Sequence, residues 1–166
     1  MKMERIILVL AVLIAMLSVG VFATAAVDLN MGMLTSGATP EYMAGITIKS
    51  IGALGIELTV EGSMGTSFDV GKIGSIKKWN LLPTLLFSLP TGEIRPYAGL
   101  GILTTYDFST SSFGPVSFET LYYKAGIDVF LNAFALFGEI QGRFNYQPSV
   151  RISGIDEWRL GVGLTF

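Results

Sequence analysis

Residues 157–166, E-W-R-L-G-V-G-L-T-F, alternate between large apolar residues and small or polar ones. In an extended strand successive side chains point to opposite faces, so this alternation predicts a β-strand with one apolar face. The residues on that face are Trp158, Leu160, Val162, Leu164 and Phe166. The opposite face carries Arg159 among glycines and a threonine. Its apolar face needs an apolar environment, either a protein core or a membrane.

The composition narrows the class of protein. Of the 166 residues, 51% are apolar and 14% are charged, which excludes a disordered chain and allows a membrane protein. The sequence has no cysteine and no histidine, so it lacks thiolate metal ligands and the most common catalytic base. A net charge of −2 gives no support for nucleic-acid binding. We therefore expect no cofactor, no metal site and no nucleic-acid partner.

The first 25 residues have the pattern of a secretory signal peptide. Lys2 and Arg5 precede an apolar run over residues 6–21, and Ala23-Thr24-Ala25 matches the small-x-small cleavage site. The pattern predicts a signal peptide over 1–25 and a mature domain over 26–166. The alternative is an uncleaved membrane anchor, because the run approaches the roughly 17 residues that a spanning helix needs.

After the signal peptide the chain consists of short alternating segments separated by Gly, Pro, Ser, Thr and Asn. Seven of them precede the terminal one, at 27–34, 42–50, 56–65, 78–89, 94–106, 116–130 and 134–146. Together they make eight predicted strands, an even number, as bacterial membrane barrels require. Pro83 lies within the fourth segment, where it predicts an irregularity. The connections after odd-numbered strands are the longer ones, which fits short turns on the side of the termini and longer loops on the other side.

The orientation of the two faces separates a membrane barrel from a soluble one. Long charged residues share the polar face with glycines, which would leave room for them inside a narrow barrel. A Lys or Arg facing lipid at the midplane would cost roughly 2–4 kcal/mol. We therefore predict an inward charge network of near-balanced sign, formed by Asp28, Lys49, Glu57, Glu61, Lys124, Asp128, Glu139, Arg143 and Arg159. The alternative is a soluble periplasmic binding barrel of lipocalin or streptavidin type, in which the apolar face would point inward.

Two stretches resemble a known family. Residues 89–101, L-P-T-G-E-I-R-P-Y-A-G-L-G, resemble the middle hairpin of the OmpA/OmpX/opacity-type small barrel superfamily, and the terminal strand ending in Phe166 resembles the closing strand of bacterial outer-membrane barrels. The resemblance implies an all-β fold, an eight-stranded antiparallel up-and-down transmembrane barrel. It also implies a bacterial outer-membrane location and insertion by the outer-membrane assembly machinery, with the apolar face of the last strand as the assembly signal.

Eight strands enclose only enough space for side chains, so we expect no wide pore. The expected role is structural, in envelope integrity or surface interaction, for a monomeric and non-enzymatic protein in contact with outer-membrane lipids. A narrow channel for ions or small solutes is the alternative. The loop at 107–115 carries Phe108 and Phe113 among serines and threonines, and could serve as an extracellular contact or as an ordinary solvated loop.

Overall fold

A computed structural model describes residues 24–35, 37–89, 92–145 and 151–166. The strands, in chain order, are β1 (Thr24–Leu34), β2 (Glu41–Ile51), β3 (Leu54–Gly65), β4 (Lys78–Ser88), β5 (Ile94–Ile102), β6 (Thr104–Asp107), β7 (Ser112–Phe113), β8 (Leu121–Leu131), β9 (Phe134–Asn145) and β10 (Arg151–Thr165). Two short 3₁₀ helices, Val70–Ser75 and Phe118–Thr120, lie in the connections. None of the described helices has the length and apolar character to cross a membrane. The predicted signal peptide, 1–25, lies outside the described residues except for Thr24 and Ala25, which begin β1.

The strands close into a ring in which every neighbouring pair is antiparallel. The sheet runs β3-β2-β1-β10-β9-β8-β5-β4, and pairing of β3 with β4 completes the ring. β5 and β6 both pair with the same edge of β4, so β6 continues β5 along that edge. The short strand β7 pairs with β6. The predicted eight-stranded antiparallel meander barrel is therefore confirmed.

The irregularity expected near Pro83 is an interruption between β5 and β6. Leu81 pairs with Thr104 and Thr84 pairs with Gly101, so the register is the same on both sides of the break. Leu103, in the break, donates its backbone N–H to the Thr120 carbonyl at 2.8 Å. Proline lacks an amide hydrogen and removes one ladder hydrogen bond, so the sheet is interrupted here without a change of register.

Two predicted boundaries are wrong. The sixth predicted strand, 116–130, begins only at Leu121, because Phe118–Thr120 forms a 3₁₀ turn closed by the Thr120 N–H on the Ser117 carbonyl (3.0 Å). The last strand begins at Arg151, inside the predicted loop 147–154. It continues past Gly154 because register shifts on either side of Ile155 absorb the extra residues.

The connections divide the barrel into two ends. The turn end holds the connections 52–53 and 132–133, the end of β4 and the start of β5, together with Phe166 and the start of β1. The loop end holds the connections 66–77 and 108–120, the ends of β1 and β9, and the starts of β2 and β10. This is the arrangement of short turns and longer loops expected from the sequence.

The barrel has a polar interior and an apolar exterior. Leu29 and Leu160 are 65% and 56% exposed on the outer wall, while Asp28 and Arg159, their neighbours in sequence, are 0% and 1% exposed. A water-soluble protein has the opposite distribution, with charged residues outside and aliphatic residues inside. This inversion places the charged residues of alternate strand positions together in the centre of the barrel.

Candidate functional site: the charged interior of the barrel

Three cations and six carboxylates lie inside the barrel, each at most 5% exposed. They come from six of the strands and share the inward positions of their strands, because side chains alternate with a period of two. The cations are Lys49, Lys124 and Arg159, and the carboxylates are Asp28, Glu57, Glu61, Asp128, Glu139 and Glu157. We call this set the interior cluster.

Arg159 on β10 binds three carboxylates. Its Nε and Nη2 donate to the two oxygens of Glu61 at 2.7 and 2.9 Å, a bidentate pair. Its Nη1 donates to Glu139 Oε1 at 2.9 Å and to Gln141 Oε1 at 2.9 Å, and Nη2 lies 3.0 Å from Glu157 Oε1. The planar guanidinium thereby joins β3, β9 and β10 through directed hydrogen bonds.

Glu139 on β9 connects Arg159 to the next cation. Its Oε2 accepts a hydrogen bond from Lys124 Nζ at 2.9 Å and another from the Tyr97 hydroxyl at 2.8 Å. Lys124 also donates to Glu57. One carboxylate therefore serves two cations and one phenol, which makes Glu139 the central residue of the cluster.

Lys49 on β2 forms the part of the cluster nearest the turn end. Its Nζ binds Asp128 and lies 3.4 Å from Asp28 Oδ2. The ammonium also lies 4.4 Å from the centre of the Phe137 ring, a cation–π distance. Within the described part of the chain neither oxygen of Asp28 accepts a hydrogen bond, so it is the least supported carboxylate of the cluster.

A row of neutral side chains ends on one carboxylate of the cluster, Glu57. Asn30 Nδ2 donates to the Thr47 hydroxyl at 2.7 Å, and Thr47 and Thr59 share a hydrogen bond of 2.8 Å. Thr59 in turn donates to Glu57 Oε1 at 3.0 Å. This row of neutral side chains links β1, β2 and β3 and supplies Glu57 with a hydrogen-bond donor.

Glycines create the space that the large inward side chains occupy. A Cβ added to Gly161 would lie within contact of the Phe137 ring, and one added to Gly101 would meet the Tyr122 ring. These rings therefore lie directly against the backbone of the neighbouring strands. The sequence predicted that strand glycines make room for long side chains inside the barrel. At Gly161 and Gly101 the described residues agree with it, since each glycine leaves space for an aromatic ring.

The structure places eight of the nine predicted network residues in the interior cluster, but not Arg143. The Arg143 side chain is 40% exposed and its Nε lies 4.0 Å from Asp156 Oδ2. Arg143 lies on the same face of β9 as Glu139 and Gln141. It is two residues beyond Gln141 toward the loop end, where its side chain is partly exposed to water. The prediction that Arg143 belongs to the buried interior network is therefore corrected. Alternation shows which face of the strand a residue occupies, but not its position along the barrel axis.

Glu157, which the predicted charge network did not include, belongs to the cluster. It is 3% exposed and stands two positions before Arg159, on the same face of β10. Period-two alternation from Arg159 would have found it. With Glu157 inside and Arg143 at the loop end, the interior cluster has six carboxylates and three cations. Arg95, whose Nε and Nη1 atoms are buried, adds a fourth inward cation, so negative charges exceed positive ones by more than the sequence predicted.

The apolar face of β10 points outward along its length. Trp158, Leu160, Val162, Leu164 and Phe166 are 38%, 56%, 50%, 45% and 73% exposed. Phe166 is tied to β1, since its N–H donates to the Ala25 carbonyl at 2.9 Å. These residues form part of an apolar outer wall that continues around the barrel through residues such as Leu29, Ile46 and Leu100. We call this wall the outer belt.

The cluster contains charged groups whose hydrogen bonds are mostly made to each other. The described residues include no group of three or more histidine, cysteine or acidic side chains arranged to hold a metal ion. The buried ion pairs connect strands on different sides of the ring, and Arg159 reaches Glu61 across 98 positions of sequence. The arrangement can hold the barrel in one geometry and fill its centre.

Comparison with solved structures places the architecture among small bacterial barrels. The chain is similar to the N-terminal β-barrel domain of Pseudomonas aeruginosa OprF, with 15% identity and a TM-score of 0.59, over 87% of this chain and 98% of that one. It also matches Neisserial surface protein A, with 11% identity and a TM-score of 0.49, over 86% and 94% of the two chains. No family model and no curated protein matches the sequence. At this level of identity the similarity to the OprF barrel shows the fold, and the predicted architecture is confirmed at that level.

Proposed function

We propose that this protein is an integral β-barrel of the bacterial outer membrane with a structural or surface-interaction role. The observation that carries the proposal is the inversion of the two faces, with Arg159 at 1% exposure between Trp158 at 38% and Leu160 at 56%. Exposing the outer belt to water would be unfavourable at roughly 25 cal/mol per Å² of apolar surface, whereas lipid removes that penalty. Closure of the ring satisfies the backbone hydrogen bonds that lipid cannot.

In the proposed orientation the turn end faces the periplasm and the loop end faces outward. Short periplasmic turns and longer external loops are the usual arrangement of bacterial barrels. The connections 52–53 and 132–133 at one end, against 66–77 and 108–120 at the other, support this orientation. The loop 107–115, with Phe108 61% exposed, would then face the surroundings of the cell as a candidate contact surface.

The interior cluster supports a filled barrel without a wide pore. The side chains of Lys49, Lys124 and Arg159 are each 1% exposed, so bulk water from either end does not reach them freely. A role in catalysis is not part of the proposal, because the sequence has no histidine or cysteine and the buried acids are bound to cations. In this role the cluster holds the strands in register.

The proposal includes the route to the membrane. The signal peptide over 1–25 would direct export, and the outward face of β10, with Phe166 at its end, would be the signal for the assembly machinery. The 73% exposure of Phe166 supports this, because an assembly factor must reach the residue from outside the barrel. The protein would function as a monomer surrounded by outer-membrane lipids.

The test is the electrophoretic mobility of the protein from washed outer-membrane fractions, with and without boiling. A closed barrel should resist detergent until heated, so we expect a band in the membrane fraction that shifts on boiling. An Arg159→Met variant should lose the unboiled band at a lower temperature than the native chain, since it loses the central cation. Recovery of the protein only in the osmotic-shock extract would contradict the proposal and favour the soluble binding barrel.

A narrow cation path is the second candidate function, and the charge of the interior cluster favours it. The six buried carboxylates outnumber the three buried lysine and arginine side chains of the cluster. Counting Arg95, whose Nε and Nη1 atoms are also buried, the interior has a formal excess of two negative charges. A path along this lining would favour cations over anions. In planar bilayers under a potassium chloride gradient, we would expect a cation-selective reversal potential that Glu157→Gln reduces. Absence of unitary conductance, or a reversal potential at zero, would exclude this function and leave the structural role.

A further inference from the structure

The connection between β3 and β4, residues 66–77, folds against the outside of the barrel near the loop end. Ile76 lies directly on β3, since a Cβ added to Gly62 would meet the Ile76 side chain. Trp79 Nε1 donates to the Ile76 carbonyl at 3.2 Å, and the Phe68 ring makes an edge contact with Tyr42 at 6.5 Å between centroids. We call residues 66–79 the β3–β4 segment.

An apolar groove lies between this segment and the outer belt. Its volume is about 380 Å³. One side is formed by Phe68, Val70, Ile73 and Trp79 of the segment, and the other by belt residues that include Leu29 and Ile46. Phe68 and Val70 are 49% and 62% exposed, so the side chains bordering the groove are still open to an apolar occupant.

A basic pocket lies on another side of the same segment. Its volume is about 350 Å³, and its lining includes Lys72, Lys77, Lys78 and Ser75. In a 3₁₀ helix residues three apart share a face, so Val70 and Ile73 face the groove while Lys72 and Ser75 face the pocket. The helix Val70–Ser75 therefore separates an apolar surface from a cationic one.

Two of these lysines have no carboxylate partner among the described residues. Lys72 Nζ donates to the Ser67 hydroxyl at 3.2 Å, whereas Lys78 is the lysine in a salt bridge, 3.7 Å from Asp107. The carboxylate within the segment, Asp69, caps the helix by accepting from the Gly71 N–H at 3.0 Å. The segment therefore carries an excess of positive charge beside an apolar groove.

We propose that the β3–β4 segment binds one membrane lipid with an anionic, phosphate-bearing headgroup. An acyl chain would lie in the groove against Leu29 and Ile46, and the phosphate would lie among Lys72 and Lys77. The source is the membrane itself, because the groove opens onto the outer belt and shares residues with it, where a water-soluble ligand does not reach. This inference rests on the proposed membrane location and adds to it a site and a lipid class.

Tryptophan quenching tests the site, because the chain has two tryptophans and one of them, Trp79, lines the groove. The Trp158→Phe variant keeps Trp79 as the reporter at the site. The Trp79→Phe variant keeps Trp158, which lies on the outer belt of β10, as the reporter of ordinary lipid contact. Each full-chain variant is reconstituted in phosphatidylcholine vesicles with increasing mole fractions of brominated phosphatidylglycerol or of brominated phosphatidylcholine with the same acyl chains.

We expect Trp79 to be half-quenched at a mole fraction of brominated phosphatidylglycerol about 25-fold lower than that of the brominated phosphatidylcholine, because two lysines contribute roughly 1 kcal/mol each. Trp158 should respond equally to both lipids. Lys72→Gln and Lys77→Gln should each reduce the preference at Trp79 about fivefold, the effect of roughly 1 kcal/mol per lysine near an anionic headgroup. Arg143→Gln, which removes a charge of the loop end on the far side of β10, is the matched control and should leave the preference unchanged.

The other outcomes separate the two proposals. Equal quenching of Trp79 by both lipids, with Trp158 also quenched, would overturn the lipid site and leave the membrane barrel standing. Absence of quenching at both tryptophans would contradict the membrane location itself. Loss of the phosphatidylglycerol preference on addition of sodium phosphate at constant ionic strength would also overturn the proposal, since it would identify a site for free phosphate.

Discussion

The two faces of β10 lie in opposite environments. Arg159 is 1% exposed and bound to three carboxylates, while Trp158 and Leu160 on either side of it are 38% and 56% exposed and part of the outer belt. Neighbours joined by a peptide bond thus meet opposite environments. The strand period of two allows this, and it means that a single residue change tests one face without altering the other.

The two faces stabilise the barrel by different means. The outer belt acts through apolar area and tolerates exchanges among large aliphatic residues. The interior cluster acts through directed hydrogen bonds between charges, and the loss of one member leaves others buried without a partner. Substitutions on the inner face should therefore be the more damaging.

The largest effect is expected for Arg159→Met. Removing the guanidinium leaves Glu61, Glu139 and Glu157 without their shared cation, and breaking a buried ion pair in this way costs about 3–5 kcal/mol. Urea unfolding in lipid vesicles, followed by tryptophan fluorescence, would measure the loss. Arg143→Met is the control, with an expected change of about 0–1 kcal/mol because its ion pair at 4.0 Å is partly exposed. Equal effects of the two variants would contradict the distinction between the cluster and the loop end.

The outer face is tested by Val162→Arg. Val162 pairs with Leu29 and Leu136 in the middle of the belt, so an arginine there should cost about 2–4 kcal/mol in lipid. Ile152→Arg, on the same strand near the loop end, should cost about 0–1 kcal/mol. The free energy of unfolding in vesicles of fixed composition measures both. A stabilising effect of arginine at 162 would mean that this face is in water.

The steric packing of the inner face is tested by Gly161→Ala. The added methyl group would collide with the Phe137 ring, and overpacking of this kind costs about 1–3 kcal/mol. Phe137→Leu in the same chain should recover part of the loss, because it removes the ring that the methyl group meets. A double-mutant cycle from urea unfolding gives the coupling. Purely additive effects would show that the glycine is present for another reason.

The smallest effect concerns a carboxylate outside the belt, Asp107 at the loop end. A hydrogen bond from the Ser109 hydroxyl, and to a lesser extent the charge of Lys78, lowers the pKa of Asp107. Ser109→Ala should therefore raise this pKa toward its ordinary value, and Lys78→Gln should raise it less. Because the folded-state pKa is the lower one, the stabilising contribution of Asp107 is present above the unfolded pKa and is lost as pH falls through the folded pKa.

Nuclear magnetic resonance titration of the Asp107 carboxyl carbon in detergent micelles would follow both substitutions. A larger rise in the Lys78→Gln variant than in Ser109→Ala would show that charge outweighs the local hydrogen bond. The charged form of a carboxylate in water is thus stabilised by a neighbouring hydroxyl, whereas a carboxylate inside the barrel is stabilised by a cation from another strand.

Most of the fold could be predicted from the sequence, because every strand of a barrel wall alternates inward and outward side chains with a period of two. Alternation placed Asp28, Lys49 and Glu57 on the inner face without knowledge of any contact. The same alternation could not give height along the barrel, so it did not distinguish Glu139 in the cluster from Arg143 at the loop end. Height depends on strand tilt and on bulges such as those around Ile155, which the local pattern does not encode.

The connections were harder to predict than the strands. The run at 116–120 alternates too, yet it forms a 3₁₀ turn because Thr120 hydrogen bonds to Ser117. The folding of the β3–β4 segment onto the outer wall also left no periodic signal. Gly62, which admits Ile76 against the wall, was placed in a strand like any other strand glycine. Loop packing depends on single contacts of this kind, which have no repeat to reveal them.

The seam between β1 and β10 has a consequence for the order of events during folding. Ala26 pairs with Thr165, so the strand that completes the ring is the last one to leave the ribosome. Contacts between residues so far apart in sequence form slowly, because a long loop must close before they contribute. Until then every partial assembly has two unpaired edges and an apolar outer face. On the proposed route to the outer membrane, the chain would therefore stay unfolded until it is inserted, and the pairing of β1 with β10 would be a late step that adds much of the stability.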